Sequence, residues 1–130
     1  MDQLSGSAQL TSLLIQTNTD GGFPISVLTD FQGLPIASAA SNGMDPERQS
    51  AVVAFVQKAA AQVSRQLGMA GTDEISFYDT RGQHLVCRPF NVDQYGLILA
   101  VIVPERGKSY RRATNHAVSE IRHIWKTFWK

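Results

Sequence analysis

Cysteine, net charge and long apolar runs are all scarce in this sequence, and each shortage excludes a class. One cysteine in 130 residues cannot close an internal disulfide, and nothing resembles a secreted disulfide scaffold. Twelve Lys and Arg stand against eleven Asp and Glu, a formal net charge of +1. That balance argues against a dedicated nucleic-acid binder, whose affinity rests on neutralising phosphates. The longest apolar run, Leu97 to Val103, is far short of the ~20 residues that a membrane-spanning helix needs. The opening Met-Asp-Gln-Leu lacks the basic region and apolar stretch of a signal peptide. The expectation is a single cytoplasmic domain over residues 1–130, large enough to bury roughly two-thirds of its unfolded surface without staples.

The near-neutral total hides an asymmetry. Residues 1–105 carry five basic and ten acidic side chains, whereas residues 106–130 carry seven basic ones against Glu120 alone. A basic C-terminal segment therefore sits on an otherwise acidic chain.

Residues 4–16 space Leu4, Leu10, Leu13 and Leu14 at loose helical intervals, with Gly6 and several Ser and Thr weakening the pattern. Asn18-Thr-Asp-Gly-Gly22 reads as a turn cluster. Residues 25–29 and 34–38 read as the two strands of a hairpin closed at Asp30-Phe-Gln-Gly33, with Pro35 suited to an edge or a strand start. The clearest helix start follows. Asp45 can cap, Pro46 suits the first helical position, and Glu47 favours the positive end of the helix dipole. This helix should run to Leu67 and stop at Gly68. Its apolar residues, Val52, Val53, Phe55, Val56, Ala59, Ala60, Val63 and Leu67, fill an arc of about 160°, wider than the ~100° that covers one sheet. The surplus wants a second partner. Three strands are expected over 74–79, 83–90 and 94–103, the last apolar on both faces like a covered central strand. The final segment is amphipathic, with Tyr110, Thr114, Ala117, Val118, Ile121, Ile124, Trp125 and Phe128 on one face. The order describes an α+β domain with an antiparallel sheet and helices on both faces.

No reactive constellation emerges. His84 and Cys87 are three apart on a strand and point to opposite faces, so they cannot form a nucleophile–base pair. His116 and His123 lie ~10 Å apart along a helix, too far to share an ion held by ~2 Å bonds. The glycines fall at expected turns rather than in a phosphate-binding loop, and the aspartates are scattered over turns. The residues indicate a non-catalytic interaction domain with no cofactor and no metal.

Asp30-Phe-Gln-Gly-Leu-Pro-Ile-Ala-Ser38 resembles the D-x-x-G-L-P-I-A-S hairpin of the roadblock/dynein light chain family. The Ala-rich helix after Asp45-Pro46-Glu47, ending at Gln66-Leu-Gly68, matches the family's next element. Ile75-Ser-Phe77, Gly82 and the 97–103 strand keep the family's order and spacing, so the resemblance covers roughly residues 4–125. It implies a five-stranded antiparallel sheet with the long central helix on one face and the N- and C-terminal helices on the other, a roadblock/profilin-like fold. It also implies a homodimer formed through the central helix and third strand, acting as a non-enzymatic scaffold or regulator of a Ras-like small GTPase and modulating its GTP hydrolysis. The alternatives are a small-molecule-sensing domain, or a structural adaptor without GTPase contact.

Two sets of site residues follow. Val52, Val53, Phe55, Val56, Ala59, Ala60 and Val63 should divide between the chain's own sheet and a twin helix, with Ile75 and Phe77 on the neighbouring edge strand completing the dimer interface. An extended basic helix over 108–130 should carry a docking stripe of Lys108, Arg111, Arg112, Arg122, Lys126 and Lys130 for an acidic partner or an anionic membrane, with nucleic acid disfavoured. Reversing Arg111, Arg112 and Arg122 to Glu should leave the fold intact, because all three are expected to point to water.

Overall fold

The computed structural model describes residues 5–129. The elements run α1 (Gly6–Gly21), β1 (Ile25–Asp30), β2 (Pro35–Ala40), α2 (Pro46–Leu67), β3 (Ile75–Tyr78), β4 (His84–Val92), β5 (Tyr95–Val103) and α3 (Arg111–Phe128). The five strands form one antiparallel sheet in the order β2-β1-β5-β4-β3.

The sheet separates two cores because side chains alternate along each strand. On one face Leu28, Phe90, Leu97 and Leu99 pack against Leu10 and Leu14 of α1 and Ala117, Ile121 and Trp125 of α3. On the other, Ile25, Val27, Cys87, Ile98 and Ala100 pack against Val53 of α2. β5 contributes to both, which is why its sequence is apolar without alternation.

Local chemistry sets most boundaries. The Asp45 carboxylate accepts from the Arg48 N–H at 3.1 Å, Pro46 opens α2, and Gly68 ends it in the left-handed conformation at φ 66°. The hairpin between β1 and β2 is closed by Asp30, whose Oδ1 accepts from the N–H groups of Gln32 and Leu34. Gly33 is required there for two reasons. Its φ is 86°, and a Cβ would lie 2.5 Å from that of Ala54 on α2. Asp79 repeats the arrangement at the next hairpin, accepting from Arg81 and Gln83.

Three boundaries differ from expectation. α1 continues to Gly21, absorbing most of the expected turn cluster. Thr17 and Thr19 satisfy their hydroxyls on carbonyls one turn back, and Gln16 donates to Asp20, so these polar residues are accommodated within the helix. β4 reaches Val92 and turns within Asp93-Gln94, with Asp93 at φ 54°. The last helix begins at Arg111 rather than 108, because the break at Pro104–Gly107 extends through Tyr110.

Candidate interaction surfaces

α2 is turned in an unusual sense. The stripe it buries includes Gln49 and Ser50 beside Val53. Gln49 donates to the Ala100 carbonyl at 3.3 Å and Ser50 to the Pro46 carbonyl at 2.9 Å, so both polar groups are satisfied. Meanwhile Val52, Phe55 and Val63 are exposed, Phe55 to 75%. A helix that covers polar residues and leaves apolar ones in water has an unfilled side.

That side faces an open groove of about 640 Å³ between α2 and β3. Val52, Phe55, Val56, Ala59, Ala60 and Val63 line one wall, and Ile75 and Phe77 line the other. Phe77 is 67% exposed. Among the described residues β3 is an edge strand, paired with β4 on one side and with no strand on the other, so its outer backbone edge is open as well.

Behind β3, on the α3 face of the sheet, polar and aromatic side chains interlock. The Glu74 carboxylate accepts from Tyr110 Oη at 2.6 Å, Arg111 Nη1 at 2.6 Å and Ser76 Oγ at 2.9 Å. Burial alone would raise its pKa. The hydrogen bonds from Tyr110 and Ser76 and the charges of Arg111 and Arg88 outweigh that, and hold it below the usual carboxylate value. Tyr110 is shifted upward by burial and by the same carboxylate. His84 stacks on Tyr78 with ring centroids 4.0 Å apart and meets the edge of Tyr110 at 5.2 Å. Among the described residues neither of its ring nitrogens has a hydrogen-bond partner.

No family model matches the sequence, and no curated protein does. Solved structures do. Myxococcus xanthus MglB superposes with a TM-score of 0.81 at 16% identity, covering 100% of this chain and 97% of that one. The Roadblock/LC7 domain from Streptomyces avermitilis gives 0.66 at 13% identity, over 91% and 95%. The chain has the roadblock/LC7 fold. A structure described as MglB with a tetrameric arrangement is also similar, with a TM-score of 0.74 at 16% identity over 98% and 96%. At these identities the likeness is one of fold.

Within the roadblock fold the expected site residues are placed as follows. Eight of the nine expected interface residues line the groove; Val53 does not. It is fully buried against β1 and β5, because it lies one turn from Gln49 on the sheet-facing stripe. Leu67 and Met69, both exposed beyond half, extend the apolar surface past the end of α2. Their signal was legible: large apolar residues flanking the Gly68 stop, where no sheet can reach.

The basic stripe is shorter than expected. Arg111 pairs with Glu74 at 2.6 Å and lies 3.8 Å from Asp73, so it belongs to the cluster behind β3 and does not simply point to water. Lys108 precedes the helix and is half-buried. Lys130 lies outside the described residues. Arg112, Arg122 and Lys126 are exposed, Arg122 with its guanidinium 5.6 Å from the Phe90 ring centre.

The strand pair His84 and Cys87 does face opposite ways, toward the α3 and α2 layers respectively. Burial pushes the Cys87 thiol up to about 12, a value at which it is no nucleophile. Among the described residues no three His, Cys, Asp or Glu side chains gather to hold a metal ion. No described helix is long and apolar enough to cross a membrane.

Proposed function

We propose that this chain is a non-catalytic homodimeric scaffold that associates with a Ras-like small GTPase and modulates its GTP hydrolysis. The observation that carries the dimer is the orientation of α2, which buries Gln49 and leaves Phe55 and Val63 in water beside an apolar groove. A second copy is the economical occupant. Its own α2 presents the same apolar ridge, and its β3 the same unpaired edge, so one two-fold axis satisfies both. The tetrameric arrangement described for one similar structure agrees with association between copies. The GTPase reading rests on the family resemblance of the Asp30–Ser38 hairpin and the elements after it. Any stimulation of hydrolysis would order catalytic groups that the GTPase itself supplies.

The test mixes the purified protein with Ras-like GTPases of the same organism, loaded with GDP or a non-hydrolysable GTP analogue. Nucleotide-dependent co-elution and a changed hydrolysis rate are expected. Absence of binding in both nucleotide states sinks the GTPase reading and leaves a structural adaptor.

The solvent side of α3 supports a further contact. Arg112, Arg122 and Lys126 are exposed there, and Glu120 is the sole carboxylate on the helix. This ridge is suited to an acidic partner or an anionic membrane.

A further inference from the structure

We infer that Glu74 is the positioning residue of the self-association surface: by gripping the N-terminal end of α3, it holds β3 where a second copy can pair with it. This inference rests on the homodimer reading.

β3 is four residues long, and its ladder to β4 runs from Ile75↔Cys87 to Tyr78↔His84. Strands this short are weakly held by backbone pairing alone. On the α2 side no described residue of the chain fills the space against Phe77, because the groove lies there. What fixes β3 must therefore act from the other side or from its ends. Glu74 does both. It immediately precedes the strand, its side chain is only 15% exposed, and it accepts three hydrogen bonds. Two come from the start of α3, 36 and 37 residues away in sequence. The third comes from Ser76 within the strand itself.

The grip has a firm base. α3 is tied to β4 by Arg88, whose Nη1 donates to Thr114 Oγ1 at 2.9 Å, and its buried stripe is part of the main core. The Tyr78–His84–Tyr110 rings fill the gap between β3 and α3, and Arg106 lies 5.3 Å over Tyr78. Side chains alternate along β3, so Ser76, which donates to Glu74, and Tyr78, which stacks on His84, lie on one side while Ile75 and Phe77 are offered to the groove. Loosening the grip would let the strand fray and disperse the surface a partner needs. By linkage, whatever competes for Arg111 or Tyr110 would weaken the dimer, and dimerisation would tighten the grip.

The experiment measures dimer dissociation by sedimentation for the full chain and for Glu74→Gln, Tyr110→Phe, Arg111→Ala and Arg111→Lys, with Arg112→Ala as the adjacent control. Hydrogen exchange over residues 75–78 is followed in parallel, in each variant combined with Phe55→Asp to remove the partner. Glu74→Gln and Tyr110→Phe should each weaken the dimer about tenfold, a fraction of the two charge-assisted hydrogen bonds lost per dimer, because the same bond also forms in the monomer. Together they should cost little more than either alone, since they break the same contact. Exchange should accelerate at 75–78 while the β1 and β5 amides stay protected. Arg111→Lys should retain most of the affinity that Arg111→Ala loses, and Arg112→Ala should change nothing. Dimer affinity within about twofold of wild type in both Glu74→Gln and Tyr110→Phe overturns the inference, as does exchange that rises equally across the whole sheet. A wild-type protein that stays monomeric instead overturns the homodimer reading beneath it.

Discussion

Replacing Phe55 tests the central reading most sharply, because the residue does little for its own protomer. It is 75% exposed, and a phenylalanine offers roughly 200 Å² of surface, leaving about 150 Å² for a partner to cover. At ~25 cal/mol/Å² that is close to 4 kcal/mol, an upper bound, since a partner covers only part of the ring. Taking about 2 kcal/mol per copy, within the range for burying one large side chain, a two-fold dimer loses it twice. Phe55→Ala should then raise the dimer Kd by about a thousandfold. Phe55→Asp adds a carboxylate with no partner in an apolar contact and should abolish the dimer at any attainable concentration. The assay is sedimentation equilibrium, with wild type expected at twice the 14.3 kDa protomer mass. Circular dichroism should show the Phe55→Asp monomer folded, because the residue faces water in the protomer. Wild type sedimenting at 14.3 kDa, or Phe55→Asp sedimenting like wild type, would refute the reasoning.

Acid should weaken the cluster behind β3 in two stages. Burial lowers the His84 pKa below 6.5; the Glu74 charge opposes this and Arg106 reinforces it, while the Tyr78 and Tyr110 rings pack against it. The unfolded chain therefore takes up a proton that the folded one resists, so stability falls as pH drops from about 6.5 through the lower folded-state value. Urea denaturation across this range should show the loss, and His84→Phe should flatten it. Glu74, also depressed when folded, contributes stability above its ordinary 4.5 and loses it only as pH falls further, through its folded-state value. Reversing Arg112, Arg122 and Lys126 to Glu should preserve the melting temperature yet abolish binding to anionic vesicles or an acidic partner at ~50 mM salt, where such contacts are least screened; unchanged binding would mark the ridge as merely solvated. Cys87, buried with its thiol raised to about 12, should resist alkylation at neutral pH until the protein is unfolded, and rapid labelling of native protein would contradict the packing around it.

Much of the architecture is decided by interactions a few residues long, and those were legible in the chain. The bounds of α2 follow from Asp45, Pro46 and Gly68, groups that act within one turn of where they stand. The β1–β2 turn follows from Asp30 and Gly33. The unbroken apolar run of β5 announced a strand covered on both faces. The width of the apolar arc on α2 showed that one sheet could not cover it.

What the arc could not reveal is its absolute orientation. A helical wheel gives angles between side chains, and only docking on β1 and β5 decides that Val53 turns inward with Gln49 while Phe55 turns out. The same limit shortened the basic stripe. Charge and spacing placed Arg111 with Arg112 on one helix, but Arg111 finds Glu74 across 37 residues of chain, through a fold that brings β3 behind the start of α3. Capping and turn energies depend on neighbours in sequence, so the sequence alone determines them. Which apolar side is buried, and which cation is already paired, depends on contacts that exist only after distant segments have packed.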